Sequence, residues 1–483
     1  MKLKDLLKDV EYYKIIGDDT SFIQSLHYDS RNVTKDSLFF CIQGINLDGH
    51  QFALQAISKG AIALIVDHEL ENFDQITQIL VEDCRIAMAL IATAFYENPA
   101  KKLTMVGVTG TNGKTSITYL IKTIAEQAGK KVGLIGTIQS MIGNVAIHSD
   151  RTTPESLDLQ KLLSEMVTEK VDCVVMEVSS HSIALNRIAG IVFDIGIFSN
   201  LTQDHLDFHG TLENYLNAKK KLFHQSRQAV INIDDENGRF ISKNIMIPVC
   251  KYGIRECADV NACNIEITLK GVSYELMLLE GKININLCIP GIFSVYNSMA
   301  AAAACNLLGI SLDMIKKGLE ALKGVPGRFE VIKIPREYTV ILDYAHTPDG
   351  LENILKTAKE FAKGRIITLF GCGGDRDKGK RPIMGKIAGM YSDYCIITSD
   401  NPRSEDPMSI ITQIVEGIKE TTCEYICIEN RKEAIRYVLK FGKEDDVIIL
   451  AGKGHETYQI IKGKQYPFDE KKIITGMIME MQE

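Results

Sequence analysis

Short apolar runs of strand length alternate with helix-period patterns along the whole chain. In the first hundred residues, positions 38–42 and 61–66 are predicted strands, and positions 52–59 are a predicted helix. Asn98 and Pro99 then interrupt the pattern. This first part is therefore predicted to be a small α/β unit.

The middle of the chain repeats the alternation. Apolar runs at 105–108, 132–135, 173–176 and 193–198 are separated by helical patterns and mostly end in polar residues. Such an alternation predicts a doubly wound, mostly parallel sheet. Strand-like runs recur between 260 and 289 without helices between them, which predicts an antiparallel patch added to that sheet.

The last part of the chain contains four predicted strands, each followed by a polar loop with glycine or proline. The strands are 340–342, 366–370, 395–398 and 447–450, and the loops are 343–348, 371–382, 400–403 and 452–456. Loops at the carboxyl ends of parallel strands meet at one edge of the sheet. We expect a second binding surface there, the alternative being that these residues only form turns.

These patterns define the predicted architecture. The chain of 483 residues is too long for one core. We expect an α/β protein with a small N-terminal α/β domain at 1–100 and a central phosphate-loop domain at 101–326. The remaining residues, 327–483, are expected to form a Rossmann-like α/β domain.

Composition and charge exclude several classes of protein. The 55 basic and 62 acidic residues give a net charge of −7, without the concentrated basic face that a nucleic-acid surface needs. The twelve cysteines occur singly, with no C-x-x-C pair. We therefore expect them to be reduced thiols. The N-terminus lacks the apolar core of a signal peptide, and no apolar run reaches the ~18 residues of a membrane span. We expect a cytoplasmic monomer.

Residues 107–116, GVTGTNGKTS, carry the strongest chemical signal. A strand, a glycine-rich turn, Lys-Thr and a helix form a cradle whose backbone N–H groups face an anion. Lys114 would reach the terminal phosphates, and Thr115 or Ser116 would hold magnesium. Val108 stands where the first glycine of the strict spacing belongs, and a chance glycine turn is the alternative.

Two further polar positions follow predicted strands of the central sheet. Glu177 lies at the end of the strand at 173–176, where a magnesium ligand belongs in a phosphate-loop domain. His205 follows the strand at 193–198 and would face the same crevice. The alternative for both is a solvated loop side chain. Together with the second surface, these positions predict an enzyme that activates one substrate with ATP and joins it to another.

Several motifs, in order along nearly the whole chain, resemble those of the Mur ligases. They are TGTNGKT at 109–115, EVSSH at 177–181, DHLDFHG at 204–210, GRFE at 327–330 and DYAHTPD at 343–349. The later motifs GCGGDRDKGKRP, DNPR and GKGHE are similar to those of the MurE subgroup, which adds the third residue of the peptidoglycan stem peptide.

The resemblance implies an ATP site and two magnesium ions. The ATP site would be formed by Gly110, Thr111, Asn112, Gly113, Lys114, Thr115, Ser116, Asn297, Arg328, Asp343 and His346. Catalytic roles would fall to Lys114, Glu177, His205 and Lys219. The metal ligands would be Thr115, Glu177, His205 and Lys219, the last as a carbamate. The reaction implied is acyl activation through an acyl phosphate.

The resemblance also implies two substrates. UDP-N-acetylmuramoyl-L-alanyl-D-glutamate would contact Tyr28, Ser30, Gly44, Ile45, Asn46, Leu47, Thr152, Thr153, Ser179, Leu185 and Arg187. meso-2,6-Diaminopimelate would contact Arg376, Asp400, Asn401, Pro402, Arg403, Gly452 and Glu456.

Arg403 decides which amino acid is expected. Its planar guanidinium suits the second carboxylate of diaminopimelate, whereas L-lysine would place an ammonium against it. The alternative for Arg403 is a local salt bridge to Glu405 or Asp406. Two other functions remain open: the lysine-adding ligase of the same family, and a P-loop phosphotransferase or NTPase. The second would not explain four converging loops near the C-terminus.

Overall fold

The structure is a computed structural model that describes residues 1–44, 47–73, 75–147 and 151–481. Ile45 and Asn46, two expected substrate contacts, lie outside the described residues. The chain divides into two compact units: residues 1–107, 130–196 and 221–227 form the first, and residues 108–129, 197–220 and 228–483 form the second. The α/β fold class is confirmed. The domain boundaries near residues 100 and 326 stay a prediction.

The N-terminal part of the chain forms a five-stranded sheet with three helices. The elements are α1 (Leu3–Leu6), β1 (Lys14–Ile16), β2 (Ser25–His27), β3 (Ser37–Phe40), α2 (Ala53–Ser58), β4 (Ala61–Val66), β5 (Thr77–Leu80) and α3 (Cys84–Phe95), with 3₁₀ turns at Gly49–Phe52 and Pro99–Lys102. The strand order is β1-β5-β4-β3-β2. Only β1 is antiparallel to its neighbour among these strands. The predicted strands at 38–42 and 61–66 correspond to β3 and β4.

Strand β3 shows why its sequence is a continuous apolar run. Leu38 and Phe40 pack into one core, whereas Phe39 packs into another on the opposite face of the sheet. Both faces are buried because helices cover a parallel sheet on both sides. A strand of this kind has no polar face, so its sequence does not alternate.

The middle of the chain forms an eleven-stranded sheet. Its strands are β6 (Thr104–Thr109), β7 (Val132–Ile135), β8 (Ser140–Ile142), β9 (Val145–Ile147), β10 (Cys173–Glu177), β11 (Phe193–Phe198), β12 (Ser226–Asn232), β13 (Val249–Gly253), β14 (Val260–Thr268), β15 (Gly271–Leu278) and β16 (Gly281–Leu287). They lie in the order β16-β15-β14-β13-β12-β11-β6-β10-β7-β8-β9. Strands β14, β15 and β16 pair antiparallel, which confirms the predicted patch.

Helices connect the strands of this sheet. They are α4 (Lys114–Gln127), α5 (Ser156–Thr168), α6 (Ser180–Ala184), α7 (Leu206–His209), α8 (Leu212–Lys220), α9 (Glu236–Lys243), α10 (Ile292–Leu307) and α11 (Leu312–Ala321), with a 3₁₀ turn at Lys221–Gln225. Helix α4 follows the phosphate loop as predicted. Its apolar residues at positions 117, 120, 121 and 124 are all buried, as the helical period requires.

The last part of the chain forms a six-stranded sheet and a separate hairpin. The elements are β17 (Glu330–Ile332), β18 (Thr339–Asp343), α12 (Pro348–Phe361), β19 (Ile366–Phe370), α13 (Lys380–Tyr391), β20 (Tyr394–Ile397), α14 (Pro407–Ile418), β21 (Glu424–Cys427), α15 (Arg431–Phe441), β22 (Val447–Ala451), β23 (Tyr458–Ile461), β24 (Lys464–Pro467) and α16 (Glu470–Glu480).

The strand order of this sheet confirms the expected convergence of loops. The order is β17-β18-β22-β19-β20-β21, and every pair from β18 to β21 is parallel. The carboxyl ends of β18, β19, β20 and β22 therefore share one edge. The antiparallel strand β17, the edge strand β21 and the hairpin β23–β24 were not predicted.

None of the helices in the described part of the chain is long and apolar enough to cross a membrane. All twelve cysteines are free thiols, as expected from their scattered positions.

Helices α13 and α14 approach each other closely at two glycines. A Cβ added at Gly385 would lie 2.0 Å from the carbonyl oxygen of Ile414, and one added at Gly417 would lie 1.8 Å from that of Pro382. Real Cβ atoms do not approach a backbone oxygen so closely. The helix spacing therefore depends on the absence of side chains at these positions.

We expect Gly385→Ala to lower the free energy of unfolding by about 1–3 kcal/mol, because the added methyl group separates the two helices. Gly476→Ala in α16 is the matched control, since nothing lies within 4 Å of its Cβ position. The control should gain up to about 1 kcal/mol from helix propensity. Urea unfolding of both variants checks this, and equal midpoints would contradict the packing argument.

Candidate active site

The phosphate loop joins β6 to α4 and takes a shape that only glycine permits at two positions. Gly110 has φ 150° and Gly113 has φ 90°. A Cβ at Gly110 would lie 1.9 Å from Ser199 Oγ, and one at Gly113 would lie 2.4 Å from Asn297 Oδ1. Asn297, expected near ATP, therefore packs directly against the loop. The glycines are required by φ and by this close packing.

Residues at the end of β11 hold the loop in place. The N–H groups of Thr111 and Asn112 donate to the backbone oxygen and to Oδ1 of Asn200, each at 2.9 Å. The hydroxyl of Ser199 donates to the carbonyl of Asn112 at 2.6 Å. The loop is thus ordered by side chains that the sequence motif does not contain.

Two lysines converge on one carbonyl oxygen of the loop. Lys114 Nζ donates to Gly110 O and to Thr111 O, both at 2.9 Å, and Lys219 Nζ donates to Gly110 O at 2.8 Å. Lys219 is 1% exposed and lies over the ring of Tyr215 at 4.5 Å. Burial, and then the neighbouring charge of Lys114, lower the pKa of Lys219 well below its usual range. Its amine therefore loses its proton far more readily than an exposed lysine.

Asp204 lies at the centre of a group of basic side chains. Its carboxylate is 3.2 Å from Lys380 Nζ, 3.3 Å from His205 Nε2 and 3.7 Å from His346 Nε2. Burial alone would raise the pKa of Asp204, but His346 and the Lys380 ammonium hold it well below its usual range. His205 takes φ 55° at the start of α7. The predicted residues His205 and His346 are thus brought together by Asp204.

Arg328, in the motif GRFE, contacts the phosphate loop. Arg328 Nη2 donates to Thr115 Oγ1 at 3.1 Å, and its guanidinium lies 4.5 Å over the ring of Tyr344. Arg328 Nε is buried without a hydrogen-bond partner among the described residues. The position of Arg328 fits the predicted ATP contact.

Both carboxylate oxygens of Asp343, a predicted ATP contact, accept hydrogen bonds from the protein backbone. Its Oδ2 accepts the N–H of Phe329 at 2.6 Å, and its Oδ1 accepts that of Ala345 at 2.7 Å. Burial raises the pKa of this carboxyl group. Asp343 holds β17 and the turn after β18 together, and its role toward ATP stays a prediction.

Polar contacts also join the phosphate loop to the C-terminal sheet within the second unit. Asn112 Nδ2 donates to Asp349 Oδ2 at 2.7 Å, at the start of α12. Gln203 Nε2 donates to Asp377 Oδ2 at 3.0 Å. These bonds and the Asp204–Lys380 pair bring the loop and the edge of the C-terminal sheet into one site.

The edge of the C-terminal sheet gathers most of the residues predicted to bind the amino acid. Glu456 Oε2 accepts hydrogen bonds from Asn401 Nδ2 and from Lys453 Nζ, both at 2.9 Å. Lys453 is fully buried. Gly452 has φ 110°, and a Cβ there would lie 2.7 Å from Asp400 Oδ2. Four of the predicted positions therefore form one polar cluster.

Arg403 lies beside this cluster with a carbonyl as its partner. Its Nη1 donates to Gly374 O at 2.6 Å. Burial and the charge of Arg376 lower the pKa of Arg403. The acid groups of the alternative salt bridge are occupied elsewhere: Glu405 pairs with Arg381 at 2.8 Å, and Asp406 caps α14. The structure therefore disfavours the local salt bridge as the reason for Arg403.

Arg376 and Pro402 are the two remaining residues that are predicted to contact the amino acid, and hydrogen bonds to backbone carbonyls position both. Arg376 Nη1 donates to the adjacent carbonyl of Asp375 at 2.9 Å, which leaves its guanidinium near that of Arg403. The carbonyl of Pro402 accepts the N–H of Glu405 at 3.0 Å. Pro402 thus shapes the turn that carries Arg403.

The first unit contains Glu177 and the predicted muramoyl contacts. Glu177 is 1% exposed, and its two oxygens accept Thr137 N–H at 2.9 Å and Thr137 Oγ1 at 3.0 Å. Thr152 Oγ1 lies 3.0 Å from the same hydroxyl. Thr153 Oγ1 donates to Glu177 O at 2.8 Å and lies 3.4 Å from Ser179 Oγ. The structure brings Thr152, Thr153 and Ser179 together around Glu177. Their roles in binding the substrate and the metal stay predictions.

Arg187 and Leu185 complete this group in different ways. Arg187 Nη1 donates to Thr153 O at 3.1 Å, and its Nη2 pairs with Glu155 at 2.8 Å. Leu185 follows α6, and its N–H donates to His181 O at 2.9 Å. The Leu185 side chain stays a predicted contact only.

The predicted uridine contacts lie on the N-terminal sheet and its loops. The hydroxyl of Tyr28 donates to Asp158 Oδ2 at 2.6 Å, and that of Ser30 donates to Gln55 Oε1 at 2.6 Å. Gly44 N–H donates to Leu47 O at 2.8 Å, and Leu47 is exposed. These contacts do not test a role in substrate binding.

Sequence reasoning missed several residues of the site. Lys380 was not separated from the other charges of the GCGGDRDKGKRP motif, although it alone there contacts Asp204 among the described ion pairs. Lys453 was passed over within GKGHE. Asp349 ends the motif DYAHTPD and Asn200 follows the predicted strand at 193–198, but their partners are remote in sequence. The available signals were membership of a motif and a position at the end of a strand.

We expect Asp204→Asn to destabilise the protein by about 3–5 kcal/mol, because it leaves the buried ammonium of Lys380 without its counter-charge. The double variant Asp204→Asn/Lys380→Met should recover part of this loss. Because the folded pKa of Asp204 is lowered, its stabilisation is complete above the unfolded pKa of about 3.9 and is lost as the pH falls further.

Urea unfolding across pH measures this effect. The midpoints of wild type and Asp204→Asn should stay separated from neutral pH to about pH 5 and should approach each other only in stronger acid. A constant difference down to the lowest pH, or no difference at neutral pH, would contradict the assigned role.

Comparisons with known proteins agree with this arrangement. Family models match residues 22–96 (Mur ligase family, catalytic domain), 108–305 (Mur ligase middle domain) and 327–454 (Mur ligase, glutamate ligase domain). The chain is 51% identical, over the full length of both chains, to proteins named UDP-N-acetylmuramoyl-L-alanyl-D-glutamate–2,6-diaminopimelate ligase from Clostridium acetobutylicum and from Caldanaerobacter subterraneus subsp. tengcongensis. A solved structure with that name is 31% identical with a TM-score of 0.70, covering 100% of this chain and 99% of the other. The chain belongs to the Mur ligase family, whose members are ATP-dependent ligases.

Proposed function

We propose that this chain forms an amide bond between meso-2,6-diaminopimelate and the D-glutamate γ-carboxylate of UDP-N-acetylmuramoyl-L-alanyl-D-glutamate, with hydrolysis of ATP to ADP and phosphate. One observation carries the proposal. A buried lysine with a lowered pKa, Lys219, shares a carbonyl of the phosphate loop with Lys114. A simple phosphotransferase gives no reason for this second lysine. The relatives named above catalyse the ligation that their name states.

The chemistry begins with the meeting of two anions. The γ-carboxylate attacks the γ-phosphorus of ATP, the bond to ADP breaks, and an acyl phosphate forms. The free amine of the amino acid then attacks the acyl carbon and loses a proton, and inorganic phosphate leaves. Cations must offset the repulsion of the first step. Lys114 supplies one such charge within the loop, and Arg328 supplies a second beside Thr115.

We propose that magnesium is bound by oxygen and nitrogen donors that this chain already orients. When bound, magnesium draws charge from the phosphate oxygens. Thr115 and His205 offer a hydroxyl and an imidazole near the phosphate loop. Glu177 offers a carboxylate that two hydrogen bonds from Thr137 hold in place. We propose Glu177 as a magnesium ligand only because a carboxylate is a suitable ligand group. Oxygen donors suit magnesium.

Lys219 enters this donor set as a carbamate. A neutral amine can attack CO₂, lose a proton and form an N-carboxylate, whereas an ammonium cannot. The lowered pKa of Lys219 supplies the neutral amine. The product is an anion next to Lys114, so the modification places a pair of opposite charges beside the phosphate loop.

The cluster on the C-terminal sheet accounts for the choice of amino acid. Arg403 and Arg376 present guanidinium groups with carbonyl oxygens as partners, which suits a carboxylate. Glu456, held by Asn401 and Lys453, is placed to accept an ammonium. One end of diaminopimelate carries both groups. L-Lysine lacks the carboxylate, which makes the lysine-adding reaction the weaker candidate.

We expect purified protein with ATP, magnesium and the UDP-dipeptide to give a tripeptide product with meso-diaminopimelate and little product with L-lysine. Arg403→Ala should lower kcat/KM for diaminopimelate at least tenfold, since losing such a charge pair costs about 2–5 kcal/mol. The rate with L-lysine should not fall. Arg436→Ala, which removes an exposed arginine paired with Glu433 on α15, is the matched control.

Mass spectrometry of the products separates the candidate functions. Product mainly with L-lysine would leave ligation intact and contradict the role of Arg403. ATP hydrolysis without any amide product from either amino acid would point to the phosphotransferase or NTPase instead.

We expect Lys219→Arg to lower kcat by about 10²-fold or more, because arginine keeps the charge but cannot carry a carbamate. After exposure to isotopically labelled bicarbonate, the wild type should show a carbamate signal by carbon NMR. Lys221→Arg, two positions away and exposed, should keep both the signal and the activity. A wild-type enzyme that is fully active without any carbamate signal would refute this role.

A further inference from the structure

A second group of potential metal ligands lies in the first unit, among the N-terminal residues. His50, Asp67 and Cys84 each offer one ligand atom, and these atoms lie within 4.8 Å of one another. The three residues come from the 3₁₀ turn after β3, from the end of β4 and from the first position of α3. None of them is among the residues proposed for catalysis.

The geometry between His50 and Asp67 already resembles that of two ligands of one ion. His50 Nε2 lies 3.3 Å from Asp67 Oδ1. Two ligands placed about 2.1 Å from a tetrahedral centre lie roughly 3.4 Å apart. The Cys84 sulfur completes the group, within 4.8 Å of both other ligand atoms.

The groups around His50 orient its ring for metal binding. Asp48 Oδ1 lies 2.6 Å from Nδ1 and also accepts the backbone N–H of His50. With a proton on Nδ1 shared with this carboxylate, the Nε2 lone pair faces Asp67, whose backbone N–H approaches it at 3.4 Å. Metal-bound histidines are held in this way, by a carboxylate on the other ring nitrogen. His68 Nδ1 lies 2.5 Å from the same Asp67 Oδ1, and a carboxylate oxygen has lone pairs for both a donor and an ion.

Cys84 supplies a buried sulfur that lacks a hydrogen-bond partner among the described contacts. It is 5% exposed. Burial, followed by the charges of Asp67 and Asp83, raises the pKa of its thiol to about 12. A cation at this position would offset those same carboxylates and would stabilise the thiolate.

The donor set selects the class of ion. A thiolate ligand favours zinc and similar ions over magnesium, which prefers oxygen ligands. Asp67 is one-third exposed, so water can reach the fourth position of a tetrahedral ion. The alternative is a site without an ion, in which polar contacts alone hold His50 between Asp48 and Asp67.

We propose that His50, Asp67 and Cys84 bind one thiophilic divalent ion of the zinc class, at a site distinct from the magnesium of the ligase reaction. The ion would fasten the turn that follows residues 44–47 to the start of α3. The role is structural, because the ligands come from three separate segments of the N-terminal sheet and its helices.

Cobalt(II) titration of the reduced full-length protein tests the proposal. We expect one cobalt ion per chain with a thiolate-to-cobalt charge-transfer band in the near ultraviolet, and displacement of that band by zinc. The band should be lost in Cys84→Ala and in Asp67→Asn. Cys173→Ala, which removes another buried thiol of the same unit, should keep it.

Each remaining outcome decides against the site. No charge-transfer band in folded wild type would show that His50, Asp67 and Cys84 bind no thiophilic ion. A band that survives in both Cys84→Ala and Asp67→Asn would assign the cobalt to other cysteines. The partly exposed Asp67→Asn keeps the test valid if Cys84→Ala does not fold. Ligase activity is not needed as a readout, so the two proposals fail independently.

Discussion

The carbonyl oxygen of Gly110 is the point on which the candidate site depends. Two lysines donate to it, and a backbone with φ 150° at that residue leaves no space for a side chain. The buried ammonium of Lys219 would be costly without this acceptor, and its pKa falls because burial and Lys114 both oppose its charge. The loop conformation, through one carbonyl, thus sets the chemistry of a residue more than a hundred positions away in sequence.

A second constraint connects this loop to the amino-acid cluster. Asp204 is buried with Lys380 from α13, and Asn112 bonds to Asp349 at the start of α12. A buried pair contributes little net stability on average, but breaking it is expensive. Such contacts therefore favour one relative placement of the segments that carry them, within the second unit. The placement matters because the amine and the acyl phosphate must meet within reacting distance.

How much the sequence predicts depends on whether the signal is local. The change from strand pattern to glycine turn to helix is local, and it predicts β6, the loop and α4 correctly. The parallel C-terminal sheet follows from four repeats of one pattern. Lys380 and Thr137 carry no local signal, because their importance comes from Asp204 and Glu177, which are distant in sequence. Short edge strands such as β1 and β21 are not predicted for a similar reason, because pairing with neighbouring strands determines whether they form.

The hydrogen-bond partners of the charged side chains explain why the candidate site should bind anions. The buried carboxylates of Glu177, Asp343 and Asp204 are each satisfied by hydroxyl, backbone or cationic donors. By contrast, the described hydrogen bonds of the Arg328 and Arg403 guanidinium groups go to a hydroxyl and a carbonyl. Nearby carboxylates such as Asp343 and Asp400 act on them only through space. Removing such cations from water is repaid only when an anion arrives. Phosphate and carboxylate groups are the anions that planar guanidinium groups bind best. The folded chain therefore keeps guanidinium groups available for the phosphate and carboxylate groups that the proposed reaction brings together.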